Sequence, residues 1–300
     1  MGHDHHHRSV TRSPRAQTAF AWSIALNSGL TTFQLLIGLA FGSLALIGDA
    51  VHNAADVLGL VLGWGAERLS RQPARGRFTY GFGRSTQIAS LINGVLICSA
   101  GVVVVVEAME RLVTPVPLIA GPVAWAAALG IAVNLGSARL FGGGHHHDLN
   151  QRAAVLHLLT DAAVSLAVLV SALVVARTGW LWLDPLTAIG VGGAVIWSAV
   201  GLLREAIALN LDAAPRHVDL AQVEAVLLAL PGVSRVENLH VWAVSTSRTA
   251  LTAHLVLDPL GPAARESGSD ALIAEARRAL APHGISDSTL QLEQSHDHEG

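Results

Sequence analysis

The sequence predicts an α-helical membrane protein with six transmembrane helices, followed by a small cytoplasmic α+β domain. Three observations carry this prediction. The chain has 300 residues, of which 51% are hydrophobic and only 14% charged, a balance too apolar for an ordinary soluble protein. Six apolar segments each approach the ~20 residues that cross a bilayer. After Leu209 the long apolar segments end, and short amphipathic and alternating segments follow.

The six apolar segments are separated by glycine or proline, which interrupt helices. The segments cover about residues 16–40, 44–67, 84–112, 118–141, 152–177 and 180–205. The breaks fall at Gly42, at Pro115 and Pro117, at Gly142 to Gly144 and at Gly179. These bounds predict a transmembrane domain over 16–207 with a His-rich loop at 142–151, preceded by a His/Arg-rich tail at 1–15.

The distribution of arginine predicts the orientation, since every basic residue apart from His is Arg. Arginines crowd the N-terminal tail, the loop between the second and third segments, the flanks of the His-rich loop and the stretch after the last segment. The opposite side has only Arg111 and Arg177. The positive-inside rule then places both termini in the cytoplasm of a multi-pass protein of the inner or plasma membrane. We expect no cleavable signal peptide, because the first apolar run is span-length and follows a polar tail.

The region 208–295 predicts a compact α+β domain in the order αββαβ, ahead of a short tail at 296–300. An amphipathic pattern over 217–230 indicates a helix. Alternating, β-branched stretches at 233–244 and 249–258 indicate two strands around a polar turn. A second helix is expected at 270–280 and a last strand at 288–293.

Two of the apolar segments carry the same ionisable pattern, HxxxD. His52 and Asp56 lie in the second segment, and His157 and Asp161 in the fifth. A four-residue step puts each pair on one helix face, and ionisable groups at membrane depth are costly unless they face a partner, an ion or water. A lone His or Asp would suggest a hydrogen bond between helices. Two matching pairs instead favour a four-ligand N₂O₂ shell suited to Zn²⁺, with Co²⁺ and Cd²⁺ also accommodated.

Asp49 precedes His52 by one turn. It is interpreted as a carboxylate that supports a ligand, a stepping stone for the ion, or a proton site. Protons enter the hypothesis because imidazole must be neutral to bind a metal, so that metal binding and protonation compete. An intramembrane metalloprotease would need HExxH, whereas neither His52 nor His157 is followed by Glu. The sequence therefore predicts no enzyme, no organic cofactor and no nucleic-acid partner.

Together these features resemble the cation diffusion facilitator family. The resemblance covers about residues 16–295 and rests on both HxxxD motifs, the His-rich loop and phrases such as LIGDAVHNAADVLGL, TYGFGRSTQIASLING, WLDPLTAIGV and NLHVWAVS. It implies a homodimeric zinc exporter driven by proton antiport, with His52, Asp56, His157 and Asp161 as ligands. It also implies a ferredoxin-like terminal domain that binds further metal and tightens the dimer.

The resemblance also marks weaker candidates. In the terminal domain His254 and Glu293 stand where relatives place ligands, Glu237 stands at a position that is often His, and His240 is a further candidate; each could instead be a half-buried strand residue. His145, His146 and His147 are either a weak metal-collecting site or a solvated connector. Because SRQPARGRFTYGFGR lacks the His and Asp of some relatives, we expect no metal site between the second and third segments.

Two other functions stay open at this point. One is a carrier of the same fold whose main cargo is Co²⁺, Ni²⁺ or Fe²⁺. The other is a membrane protein that senses zinc without transporting it, in which the metal sites control assembly. Net metal flux separates the second from transport.

Overall fold

A computed structural model describes residues 14–141, 149–245, 248–258 and 269–294. Six long helices come first: α1 (Pro14–Phe41), α2 (Leu44–Ser70), α3 (Ser85–Val113), α4 (Ala120–Phe141), α5 (Leu149–Thr178) and α6 (Leu183–Asn210). The chain separates into two compact units. The first comprises Met1–Val61 and Asn93–Val200, and the second Leu62–Ile92 and Gly201–Gly300.

The long helices have the composition of membrane spans. Helices α2 to α6 are long and apolar enough to cross a bilayer, and the part of α1 searched for spans, Ala25–Phe41, is apolar but shorter. The interior of the first unit is built largely of small side chains, among them Ala45, Ala126, Ala127, Ala172 and Ala188. Large apolar side chains such as Leu39, Trp125 and Trp197 point outward. Small residues inside and large ones outside are expected where lipid replaces water around closely packed helices.

The start of α2 is held by other helices of the first unit. Asp184, at the beginning of α6, accepts hydrogen bonds from Ser43 Oγ at 2.6 Å and from the Leu44 backbone N–H at 2.7 Å. A carboxylate at a helix N-terminus satisfies donors that the helix itself leaves free and meets the positive end of its dipole. Gly42 turns the chain before α2 with φ +80°, and its carbonyl accepts from Arg111 Nη1 at 2.9 Å. Asp184 therefore caps α2, which carries one HxxxD motif.

The second unit contains the α+β domain. Its elements are α7 (Leu220–Leu228), β1 (Val233–Ser245), β2 (Arg248–Leu257), α8 (Ser269–Leu280), a 3₁₀ turn (Ala281–His283) and β3 (Asp287–Gln294). β2 lies between β1, to which it is antiparallel, and β3, to which it is parallel. Buried side chains of both helices, among them Val223, Leu227 and Leu280, pack in one core with Leu251 and Leu255 of β2. The predicted membrane helices followed by an αββαβ domain are confirmed.

The loop between α2 and α3 and the first turn of α3 belong to this second unit and pack on the β1–β2 hairpin. Gln87 Nε2 donates to the Ala243 carbonyl at 3.0 Å, and Arg248 Nη2 donates to the Tyr80 carbonyl at 3.1 Å. Arg84 also forms an ion pair with Asp212, beyond the end of α6. Residues 62–92, placed by sequence in the transmembrane domain, therefore share a compact unit with the C-terminal domain.

Candidate metal centre

The two HxxxD motifs meet in the first unit. His52 and Asp56 lie on α2, His157 and Asp161 on α5, and each imidazole contacts carboxylates of both helices. The helical period explains the pairing, since residues four apart share a face. Each helix therefore presents one imidazole and one carboxylate to the other.

The distances between these groups suit a small tetrahedral ion. His52 Nε2 lies 3.3 Å from Asp161 Oδ1 and 3.9 Å from Asp56 Oδ2. His157 Nε2 lies 3.2 Å from Asp56 Oδ2 and 3.7 Å from Asp161 Oδ2. Ligands about 2.1 Å from a tetrahedral zinc ion are about 3.4 Å apart. Ligand atoms of His52, Asp56 and Asp161 all lie within 4.8 Å of one another, the one such metal-ligand group among the residues described, and His157 flanks both of its carboxylates.

The four candidate ligands differ in how much of each side chain is exposed. The Asp161 side chain is 3% exposed and that of His52 19%, whereas the side chains of Asp56 and His157 are 34% and 50% exposed. One side of the cluster is therefore closed by protein and the other is accessible.

A second polar group lies behind these ligands and is named here the polar clamp: Gln34, Asp49, Asn53 and Ser165. Asp49 Oδ2 accepts from Gln34 Nε2 at 2.9 Å and from Ser165 Oγ at 2.8 Å. Gln34 Oε1 accepts from Asn53 Nδ2 at 3.3 Å. All four side chains are buried, none more than 4% exposed. The clamp links α1, α2 and α5, and Asp49 accepts its hydrogen bonds from Gln34 and Ser165.

Sequence reasoning singled out Asp49 but missed its partners and the role of Asp184. Gln34, on α1, bonds between helices by donating to Asp49 of α2. Ser165 lies one turn beyond Asp161, and Asn53 is next to His52; polar residues so close to an HxxxD motif are the signal that could have found the clamp. Asp184 gave no comparable signal, because its partners are about 140 residues away in the chain.

The four candidates of the C-terminal domain are only partly brought together. His254 Nδ1 lies 2.8 Å from Glu293 Oε1. The strand pairing sets Glu237 opposite His254, yet its carboxylate lies 3.5 Å from the Arg235 guanidinium. His240 is exposed and pairs with Thr252. The strands therefore give one close His–Glu pair with two further candidates on the neighbouring strand.

His145, His146 and His147 lie outside the residues that the structure describes, as do residues 1–13 and 295–300, which include most of the two predicted tails. Metal collection by the His-rich loop therefore stays a prediction.

Comparison with known proteins matches the chain to two family models, one after the other along the sequence. The family model of the cation efflux transmembrane domain matches residues 21–209, and that of the cation efflux protein cytoplasmic domain matches residues 215–295. The zinc transporter ZitB of Escherichia coli K12 is 31% identical, over 98% of this chain and 93% of its own length. The cation efflux system protein CzcD of Alcaligenes sp. CT14 is also 31% identical, over 86% of this chain and 80% of its own.

A third relative is named for more than one ion. The cadmium, cobalt and zinc/H(+)-K(+) antiporter of Bacillus subtilis 168 is 26% identical over all of this chain and 94% of its own length. The family models cover nearly all of α1 to α6 and of the αββαβ domain, the regions in which the structure places both sets of candidate ligands. This chain is therefore a multi-pass membrane protein that belongs to the cation efflux, or cation diffusion facilitator, family of metal transporters.

Proposed function

We propose that this protein exports Zn²⁺ from the cytoplasm in exchange for protons, with Co²⁺ and Cd²⁺ as further cargo. The observation that carries the proposal is the meeting of His52, Asp56, His157 and Asp161 at distances of 3.2 to 3.9 Å. Two nitrogen and two oxygen ligands suit zinc better than ions that prefer all-oxygen shells. The names of the relatives, a zinc transporter and a cadmium, cobalt and zinc antiporter, support the same cargo.

Proton exchange follows from the chemistry of the ligands. Without metal, each imidazole is within ion-pair distance of two carboxylates, an arrangement that stabilises a protonated imidazole. Zinc requires neutral imidazole and ionised carboxylate, so binding the ion releases protons, and returning protons help to expel it. Alternate opening of the site to the two sides of the membrane would then couple the two fluxes.

The site itself is closed to hydrolytic chemistry once four protein groups hold the ion, because zinc catalysis needs an open position for water. Asp161, the most buried ligand, holds the ion on the closed side. His157, half exposed, is the ligand that the ion meets first.

The remaining parts of the proposal concern assembly and orientation. We place both termini in the cytoplasm of an inner or plasma membrane, in agreement with the arginine distribution. The C-terminal domain pairs two copies of the chain as a homodimer and binds a further metal ion through His254 and Glu293. Glu237 and His240 are candidate additional ligands there, since Glu237 faces His254 across the strands.

The test is zinc uptake into proteoliposomes that contain the purified full-length chain, with a pH gradient of either sign. Wild type should accumulate zinc at a rate that rises with an outward proton gradient. Asp161→Asn, which keeps the shape of the side chain but removes its charge, should reduce uptake to the level of empty vesicles. The matched control is Thr160→Val, one residue earlier on α5, whose exposed hydroxyl bonds only to its own helix at Leu156 and whose loss should leave uptake unchanged.

Each rival function has its own outcome in this assay. A zinc sensor without transport would bind zinc yet show no net flux in wild type. A carrier with another main cargo would transport Co²⁺, Ni²⁺ or Fe²⁺ faster than Zn²⁺ when all four compete. If zinc uptake did not respond to the pH gradient, the proposed proton coupling would be wrong, but zinc transport would still stand.

A further inference from the structure

Within the polar clamp, the planar side-chain amide of Gln34 contacts α2 at two points. The Gln34 amide donates to Asp49 at 2.9 Å and accepts from Asn53 at 3.3 Å. Asp49 and Asn53 are one turn apart on α2, and His52 lies between them in the chain. A rotation of α2 about its axis would carry both residues away from the Gln34 amide and leave buried polar groups without partners, which is costly. The clamp therefore resists the motion that would swing His52 and Asp56 away from α5.

The same clamp also reaches α5. Ser165 Oγ donates to Asp49 Oδ2 at 2.8 Å, the oxygen that also accepts from Gln34. Ser165 is one turn from Asp161 and two turns from His157, so the three share a helix face. One carboxylate oxygen thus ties both ligand-bearing helices to each other and to α1.

A glycine of α4 makes room for this arrangement. A Cβ on Gly130 would lie 2.8 Å from Gln34 Nε2 and 2.9 Å from Ser165 Oγ, distances at which the clamp side chains must move. A Cβ on Gly136, on the same helix, would have nothing within 4 Å. The clamp therefore depends on the absence of a side chain at Gly130, and Gly136 offers a matched control.

We propose that the polar clamp determines the selectivity and affinity of the transport site by positioning α2 and α5, without contacting the ion. It holds the four ligand atoms at the spacing of a small tetrahedral ion such as Zn²⁺. A loosened clamp lets the helices turn, so that zinc binds more weakly and the larger Cd²⁺ is disfavoured less. This inference rests on the proposed function, since it concerns the same site and cargo.

The main experiment compares Gly130→Ala with Gly136→Ala in proteoliposomes supplied with Zn²⁺ or Cd²⁺. Outer-layer changes at metal sites typically weaken affinity 10- to 100-fold, so Gly130→Ala should raise KM for zinc by about tenfold. Its Vmax should stay close to wild type, and the ratio of zinc to cadmium transport should fall. Gly136→Ala should match wild type in every parameter. An unchanged KM and an unchanged ratio of zinc to cadmium transport, measured at equal amounts of folded protein, would overturn the proposal.

A second set of variants tests the clamp without added bulk. Ser165→Ala removes one donor and should raise KM for zinc by about threefold, the size of one net hydrogen bond. Asp49→Asn keeps an oxygen that accepts from Gln34 and Ser165 and should preserve the ratio of zinc to cadmium transport, whereas Asp49→Leu should lower it. If Asp49→Asn and Asp49→Leu are equally impaired, charge or proton transfer rather than positioning is the role of Asp49, and the proposal fails. Should Gly130→Ala not fold, these three variants decide the question.

The two proposals can fail separately. Absence of zinc flux in wild type, or flux that survives Asp161→Asn, counts against the proposed function. Normal wild-type flux with unchanged KM and selectivity in Gly130→Ala and Ser165→Ala counts against the clamp alone.

Discussion

The candidate ligands on the membrane helices and those on the cytoplasmic sheet differ in how completely they meet. On α2 and α5, each of the two imidazoles has a nitrogen within 3.9 Å of an oxygen of both carboxylates. In the sheet only His254 and Glu293 are in contact, at 2.8 Å, and Glu237 lies beside Arg235. Both regions were assigned ligands from the same sequence, so the difference reflects the kind of backbone that carries them.

Helices and strands transmit sequence spacing in different ways. A four-residue step on a helix always returns to the same face, and the polar clamp then sets the rotation of the helix. On a strand, successive side chains alternate, and one extra residue reverses the face of everything that follows. β1 has such an irregularity between Glu237 and His240. In this chain helical spacing therefore brought its candidate side chains together more completely than strand spacing did.

The strongest test of this difference between the membrane helices and the cytoplasmic sheet is to remove one carboxylate from each. Asp56→Ala deletes an oxygen that lies 3.2 Å from His157 Nε2 and should abolish zinc flux in proteoliposomes. Glu293→Ala deletes the partner of His254 and should lower flux only in part, because the intramembrane ligands stay complete. Equal loss in the two variants would show that the sheet pair is as necessary for transport as the helix cluster.

Much of the helix cluster could be predicted, whereas of its support only Asn53 and Ser165 lie close enough to an HxxxD motif to be found from the sequence. The HxxxD pairs required only the helical period and the cost of buried charge. The Gln34–Asp49 bond depends on the rotation of α1 against α2 and on the bare backbone of Gly130. Neither is encoded in local spacing.

In the cytoplasmic sheet, the order of the elements could be predicted, but the positions of the candidate ligands relative to one another could not. The order αββαβ followed from alternation and turn residues, and the parallel pairing of β2 with β3 sets Gln291 opposite His254. Glu293 lies two residues further, on the same face as Gln291, which explains its contact with His254. The bulge in β1 includes Asn238 at φ 50°, and alternation alone could not predict where that extra residue falls. The relation of Glu237 and His240 to His254 was therefore beyond sequence reasoning.

The role of the helix cluster can also be tested by changing one candidate ligand to another type rather than deleting it. His52→Asp turns the N₂O₂ set into one nitrogen and three oxygens, which suits harder ions such as Mn²⁺ better than zinc. In vesicles that contain both ions, the ratio of manganese to zinc transport should rise by about tenfold, the effect of 1.4 kcal/mol.

His283→Asp is the matched control, since His283 lies in the 3₁₀ turn of the C-terminal domain and outside both candidate sites. It should leave the ratio of manganese to zinc transport at the wild-type value. A shift of equal size in both variants would mean that His52 is not a ligand.

The smallest expected effect concerns the caps that start a helix in each region. Asp184 is 4% exposed and caps α2 across helices, whereas Asp219 is exposed and caps α7 locally, accepting from the Ala221 N–H at 3.0 Å. Replacing a capping residue by Ala costs ~0.5–2 kcal/mol. We expect Asp184→Ala to lie near 2 kcal/mol, because it also leaves buried donors without a partner, and Asp219→Ala to lie near 1 kcal/mol. Denaturant titration of the full-length chain in detergent measures both.

The two caps should also differ in what they do to transport. Loss of the Asp184 contacts frees the first turn of α2, about two turns before His52, so Asp184→Ala should raise KM for zinc as well as lower stability. Asp219→Ala changes a helix that carries no candidate ligand and should leave KM unchanged. If Asp184→Ala lowered stability without changing KM, the polar clamp alone would be sufficient to orient α2, and the cap would serve only folding. If Asp219→Ala raised KM as well, the metal site on the helices would depend on the C-terminal domain, and the contrast between the two regions would no longer hold.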